Sequence, residues 1–362
     1  MPKVAFLTPY PFGFAPGPRF RFEQYLDVLE ENGISYRFFP FLNKYAYFNL
    51  YKSFGVGQKV LHTLKGYLLR IWQLIFVLWQ YDFIFVYREA TPFGFPFVEW
   101  WVTKVWRKKL IYDFDDAIWI PATSAQNRWV SALKAAYKVP LICRWAHRVS
   151  VGNAYLAEHA RLFRAEGESS QAVVLNPTTL ETESWHNRLK NHEDTPLTIG
   201  WTGTHSTLPY LDELLPVLER LEQEFSFRFR VICNQKPDFS LRSLEFIPWN
   251  KDTEIEDLLA LHIGIMPLTD DHWAKGKCGF KALQYMALGI PPIASPVGVN
   301  ATIIQTGENG FLAQTPEEWE AALRQLLENK RLRQSLGERG RQTVVAGYSV
   351  QSNRENFLRL FS

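Results

Sequence analysis

The chain is poor in the features that fix a fold covalently or place it across a bilayer. It has only three cysteines in 362 residues. Cys143, Cys233 and Cys278 lie far apart and form no C-x-x-C pair, which argues against a disulfide framework or a thiolate zinc site and fits a reducing compartment. No run of about 18 uncharged apolar residues occurs, so a spanning helix is not expected. The nearest stretch, 61–79, is interrupted by Arg70 and Gln73. Neither sign of charge is in excess: 40 basic against 37 acidic residues leave +3, too balanced to imply a nucleic-acid partner. The opening MPKVAFLTPYPFGF is broken by prolines and has no secretory cleavage pattern. The expected location is the cytoplasm, or the inner face of a membrane.

What is present is apolar mass: 47% hydrophobic and 15% aromatic residues suffice for sizeable cores, and the length favours two domains. Short apolar runs alternate with longer helical patterns. KVAFLTP (3–9), SYRFFPF, YDFIFVYRE (81–89), KKLIYDFDD and AHRVSVGN (146–153) read as strands. RFEQYLDVLEENG (21–33) reads as a helix stopped by Gly33. The pattern restarts with LTIGWTG (197–203), a helix over 208–225, and strands at FRFRVICN, LEFIPW, HIGIMPL and PPIASP. Such alternation predicts parallel sheets with crossover helices. The polar stretch 181–196 reads as a linker. The expected division is 1–180, the linker, 197–345, and a C-terminal helix over 346–362 packing back toward the first domain. Ligands of open parallel sheets sit beyond the carboxyl ends of the strands, so residues following strands are the functional candidates.

The stretch GKCGFKALQYMALGIPPIASPVG (276–298) is the first of these. A helix starting at Phe280 offers unpaired N–H groups and a partial positive charge. Gly279 permits close approach, and Lys277 and Lys281 add cationic charge, a combination suited to a diphosphate or, more blandly, a solvated lysine pair before a core helix. Gly203, Thr204, His205 and Ser206 follow another strand and suit phosphate oxygens or a helix cap. Trp249 ends a strand and could stack on a nucleobase or lie in a core. In the first half, Asp113, Asp115 and Asp116 crowd one strand end, where their repulsion asks for a cation, sugar hydroxyls or hydrogen bonds. Gly13, Arg19 and Arg21 form a glycine–proline loop with two guanidinium forks. Arg88 and Glu89 end another strand. The basic, aromatic segment 49–79 reads either as a core helix with extended lysines or as one lying in a membrane interface.

KALQYMALGIPPIASPVG followed by IIQTGENGFLAQTPEEWEAAL resembles the C-terminal donor half of family 4 glycosyltransferases, the group 1 type with the GT-B fold. The similarity runs from about Leu197 to Ser349. It implies an α/β protein of two doubly wound Rossmann-like domains facing each other across a cleft. It also implies retaining transfer of a sugar from a nucleotide diphosphate sugar to a glycan or lipid-linked acceptor, as in cell-surface polysaccharide synthesis, with no cofactor required. The family holds the donor sugar and ribose with two glutamates. Here the matching positions are Gly276 and Gln284, so both carboxylates are missing, and Lys277 and Lys281 stand ready to neutralise the diphosphate. Where the family often carries a histidine, Asp115 stands. The expected donor contacts are therefore Gly13, Arg19, Arg21, Gly203, Thr204, His205, Ser206, Trp249, Lys277, Gly279, Phe280 and Gln284. Asp115, Asp116 and Lys281 are the expected catalytic residues, with Arg88, Glu89 and Asp113 on the acceptor side.

Two other readings remain. The missing glutamates suit a non-catalytic nucleotide-sugar-binding or scaffold protein. Asp113-Phe114-Asp115 spells D-x-D, which in the other large glycosyltransferase fold holds a divalent metal against the diphosphate.

Overall fold

Continuous apolar runs, buried on both faces, set the strands of two separate parallel sheets. The computed structural model describes residues 1–49, 55–120, 137–164 and 172–362. Residues 50–54 of the basic, aromatic segment lie outside the described residues. The chain divides into two units, Met1–Pro177 with Arg354–Ser362, and Thr178–Asn353.

The first unit is built on β1 (Lys3–Thr8), β2 (Ser35–Pro40), β3 (Phe83–Tyr87), β4 (Lys109–Phe114), β5 (Arg148–Val151) and β6 (Val173–Leu175). Their order is β2-β1-β3-β4-β5-β6, with the pairs parallel. Register places Phe6 opposite both Phe38 and Phe85. The Phe6 ring lies 5.0 Å from Phe38, 4.9 Å from Phe85 and 5.2 Å from Phe22. Each such buried ring contributes about 1.5–3 kcal/mol, so this aromatic layer anchors the sheet. The helix expected over 21–33 is instead three pieces, Pro16–Arg21, Glu23–Tyr25 and Leu26–Glu31. Phe22 interrupts it by leaving helical geometry at φ −145° to reach the aromatic layer.

The second unit is built on β7 (Thr198–Gly203), β8 (Arg228–Cys233), β9 (Leu244–Pro248), β10 (Ile263–Met266), β11 (Pro292–Ala294) and β12 (Phe311–Leu312). All neighbours are parallel, in the order β12-β11-β10-β7-β8-β9. Ile199, Trp201, Val231, Ile265 and Ile293 form the core with Leu218 and Leu323 of the covering helices Leu215–Glu224 and Pro316–Glu328. The stretch expected to be one helix from 208 is a 3-10 turn, His205–Leu214, leading into Leu215–Glu224.

Residues 181–196, read above as a linker, are packed into the second unit. Thr182, His186, Lys190 and His192 are buried. Their polarity is absorbed locally: Lys190 N–H donates to Leu288 C=O at 2.8 Å, and His192 Nε2 lies 3.0 Å from Gly289 C=O. Arg341 donates to the carbonyls of Thr182, His186 and Ala287. At the other end, Phe357 stacks on Tyr25 at 4.3 Å and Phe361 meets Phe83 at 5.7 Å, which ties the last residues to the first unit.

Candidate functional site

In the second sheet the chain reverses its direction of growth between β7 and β10. Such a switch point opens a crevice at the strands' carboxyl ends. The loop Gly203–Ser206 leaves β7 there, and the segment leading to the helix Phe280–Ala287 leaves β10. Tyr285 ties the three together: its hydroxyl accepts from Thr202 N–H at 3.1 Å and donates to Ile265 C=O at 3.4 Å. Ser295 Oγ accepts from Leu268 N–H at 2.9 Å, fixing the loop after β10.

Gly279 begins the helix in the left-handed region, φ 68°. A Cβ there would stand 2.4 Å from Ile303, so the position requires glycine on two counts. The amides of Phe280, Lys281 and Ala282 form the first turn, at the positive end of the helix dipole. Lys281 Nζ lies 5.1 Å from the centre of the Trp201 ring, which is wholly buried, and Lys277 Nζ lies 4.7 Å from that of Trp273. Burial pushes the Cys233 thiol up, and the backbone N–H groups of Gln235 and Asn234, and then the Lys281 charge, partly offset this. Lys281 thus lies in the first turn of this helix over a β7 side chain, and Lys277 lies two residues before the Gly279 cap.

Thr204, His205 and Ser206 are exposed. Part of their bonding capacity goes to capping the 3-10 turn: Thr204 N–H donates to Thr207 Oγ1 at 3.2 Å, and the Thr204 and Ser206 hydroxyls lie 2.9 Å apart. The sequence reading missed Asn234. It directly follows β8, and its Oδ1 accepts from His205 N–H at 2.8 Å while its Nδ2 lies 3.2 Å from His205 Nδ1. An asparagine directly after an apolar strand was the available signal.

Glu254 was also missed. It is buried, and its Oε1 accepts from Trp249 Nε1 at 3.4 Å and Gln284 Nε2 at 3.5 Å. A carboxylate only accepts, so it fixes the Gln284 amide with its nitrogen toward Glu254 and leaves the carbonyl oxygen as the acceptor for other partners. Restoring the family acid by Gln284→Glu would put two carboxylates in contact, where like charge disfavours ionisation of both. The expected result is a weaker, not stronger, affinity for nucleotide. The pair Glu254→Gln with Gln284→Glu should recover it, and calorimetric titration checks both.

The first sheet has its own reversal between β1 and β3. Arg88, directly after β3, has φ 60°, a strained backbone for a side-chain-bearing residue that costs on the order of 1–3 kcal/mol. Its side chain donates to Asp115 Oδ1 at 3.0 and 2.7 Å and to Asp116 Oδ2 at 2.6 Å. Tyr87 adds a 2.9 Å bond to Asp115. Burial alone would raise the Asp115 carboxyl, but Arg88, Arg21 and these hydrogen bonds outweigh it and hold the group below the usual carboxylate range. Asp115 is therefore an ionised acceptor at neutral pH, suited to sugar hydroxyls rather than to proton delivery. Glu89 pairs with Lys138 at 3.6 Å. Arg19 is half-buried over the Phe20 ring, 4.9 Å away.

Three expectations need correction. Arg21 and Asp113 are each 1% exposed and are spent on each other, at 2.5 and 3.2 Å, with Ser150 Oγ donating to Asp113 at 2.5 Å. Neither side chain is available to donor or acceptor, because the strand β4 turns Asp113 into the core. The Gly13 amide donates to the Glu23 carboxylate at 3.0–3.1 Å, so the loop is held by its own helix. Guanidinium groups rather than a shared cation position engage the two D-x-D carboxylates, Arg21 on Asp113 and Arg88 on Asp115. Among the described residues no group of three or more His, Cys, Asp or Glu is arranged to hold a metal.

Residues 240–343 match the family model described as Glycosyl transferases group 1. No curated protein matches the sequence. Among solved structures, sucrose-phosphate synthase from Thermosynechococcus elongatus is similar over 100% of this chain and 98% of its own, at 14% identity and a TM-score of 0.68. Anabaena HepE in complex with UDP and glucose is similar over 100% and 99%, at 14% identity and 0.61. A TarM variant from S. aureus, in complex with Fondaparinux, alpha-GlcNAc-glycerol and UDP, is similar over 82% of this chain and 59% of its own, at 14% and 0.60. The GT-B fold and the group 1 region expected from the sequence are both present, and together they support a glycosyltransferase.

Proposed function

We infer that this chain, a glycosyltransferase by its group 1 region and its GT-B fold, moves a sugar with retention of configuration from a nucleotide diphosphate sugar to a glycan or lipid-linked acceptor, in cell-surface polysaccharide synthesis. One observation carries the reading: a helix N-terminus with Gly279, Lys277 and Lys281 stands at the switch point of the second sheet. Charge grows on the departing diphosphate as the bond to the sugar breaks. Preorganised amides and ammonium groups stabilise that charge without reorganising. In this reading the leaving phosphate takes the acceptor's proton, so no strong protein base is needed, which suits the ionised, arginine-bound Asp115. Thr204, His205 and Ser206 complete the phosphate side. Trp249, Glu254 and Gln284 bound the nucleoside side. Asp115, Asp116 and Arg88 receive hydroxyls of the sugar or acceptor.

The complexes of HepE with UDP and glucose and of TarM with UDP support a uridine nucleotide as the first probe. A thermal-shift screen of UDP-, GDP- and ADP-sugars, with and without chelator, tests the reading, because a ligand that binds only the folded state raises its apparent stability. One of these donors is expected to stabilise the protein equally in chelator. Stabilisation that disappears in chelator would favour the metal-dependent reading.

The absence of a side chain at Gly276 and of charge at Gln284 favours a second reading, a nucleotide-sugar-binding protein without turnover. Release of free nucleotide in the presence of acceptor excludes it.

A further inference from the structure

The helix Val56–Phe76 carries its polarity on the wrong side for a helix facing water. Its buried residues are Gly66, Arg70, Gln73 and Leu74. Arg70 is 1% exposed and donates to Ala90 C=O at 3.1 Å, Phe39 C=O at 3.0 Å and Gln73 Oε1 at 2.9 Å. Burial pulls this guanidinium down to about 10, against the opposing charge of Glu99. Gly66 lies on the Phe41 ring, where a Cβ would stand 2.6 Å from the nearest ring atom. Tyr67 adds hydrogen bonds to both the N–H and the C=O of Phe93. These contacts fix the rotation of the helix on the unit.

The outward stripe is then Leu61, Leu64, Leu68, Trp72, Ile75 and Phe76, each 49% exposed or more. The spacing follows the helical repeat, so these side chains share one surface. A helix on a water-facing surface shows the reverse arrangement, and a contiguous exposed apolar stripe marks a surface that binds something. Trp79, 54% exposed, extends it. From Gly55 to Tyr81 the sequence contains no aspartate or glutamate, while Lys59 and Lys65 are exposed along the helix.

We propose that this stripe lies in the plane of an anionic membrane surface, with its leucines and aromatics at the acyl boundary and Lys59 and Lys65 reaching the headgroups. Tryptophan is favoured at that depth, and lysine stems extend from apolar surface to polar headgroups. The helix has 21 residues, about 32 Å, a length that suits a helix lying flat. Among the described residues no helix is long and apolar enough to cross a membrane. Charge decides between occupants. A second copy packed across a two-fold axis would set the same acid-free, lysine-bearing stripes against each other. Anionic lipid complements them instead. The inference stands independently of donor binding in the second unit, and it fits an acceptor presented from lipid.

Sedimentation with phosphatidylcholine vesicles, with and without phosphatidylglycerol, tests it. The protein is expected to partition onto vesicles, more strongly with phosphatidylglycerol and less in high salt. Leu68→Glu with Trp72→Ser should lower partition at least about tenfold, with an unchanged melting temperature and unchanged nucleotide binding. Lys59→Glu with Lys65→Glu should remove the phosphatidylglycerol dependence. Absence of partition onto either vesicle, or equal partition of the Leu68→Glu variant, overturns the proposal. A dimer in solution that the same substitutions dissociate, without vesicle binding, overturns it in favour of a second copy.

Discussion

Removing the Lys281 ammonium is expected to cut sugar transfer at least tenfold, a loss of about 1.4 kcal/mol of transition-state stabilisation. The expectation rests on position: Lys281 is in the first turn of Phe280–Ala287, at the positive end of the helix dipole. A lysine there opposes the helix dipole, so local stability gives no reason for it, whereas a diphosphate reconciles amides and cation in one ligand. Lys281 also covers the Trp201 ring, so a simple truncation mixes lost packing with lost charge. Lys281→Met separates them, because it keeps an apolar stem over the ring and removes only the charge. Both Lys281→Ala and Lys281→Met should lower kcat/KM strongly, Lys281→Arg should restore part of it, and all three should melt near the parent temperature. If Lys281→Met turns over normally while Lys281→Ala does not, the residue serves packing alone.

The second large effect is on stability. Arg21→Met is expected to destabilise the first unit by about 3–5 kcal/mol, because it strands the buried Asp113 carboxylate with the Ser150 hydroxyl as its main remaining support. A shift of this size lowers a melting temperature by roughly 6–20 °C. Replacing both partners, Arg21→Met with Asp113→Leu, should recover most of the loss, since a buried ion pair exchanged for apolar residues of similar volume is often close to neutral. The recovered variant should bind nucleotide like the parent, which would confirm that Arg21 is structural. Thermal unfolding and calorimetry measure the two outcomes. Full stability of the single variant would show that the pair is not what holds β4 against the Pro16–Arg21 helix.

This second case also shows what the sequence could and could not disclose. Strands buried on both faces announce themselves by continuous apolar runs, and with the half-exposed β2 and β9 ten of the twelve strands were legible. The other two, β6 and β12, span only Val173–Leu175 and Phe311–Leu312 and have too few residues to show any period. The helix at Phe280 was legible because Gly279 punctuates it. Charge pairing was not. Arg21 and Asp113 are 92 positions apart, and composition cannot say which aspartate of a triplet turns inward. Asp113 lies within β4, which is buried from Leu110 to Phe114, while Asp115 and Asp116 follow the strand and meet Arg88. Glu254 was hidden for the same reason: its contact with Gln284 spans 30 positions. The segment 181–196 misled because several of its polar residues are nonetheless buried, with Lys190 paired to Asp194 and His192 set against the Gly289 carbonyl. The Val56–Phe76 helix was ambiguous because its apolar residues outnumber one face, and only the burial of Arg70 and Gln73 shows which side is inward.

Amide hydrogen exchange read with and without a saturating nucleotide sugar tests the central claim most directly. The account predicts slowed exchange at Phe280, Lys281 and Ala282, together with the loop Gly203–Ser206, for whichever of the UDP-, GDP- and ADP-sugars binds. Saturable binding of a donor that leaves the exchange of those amides unchanged would contradict it.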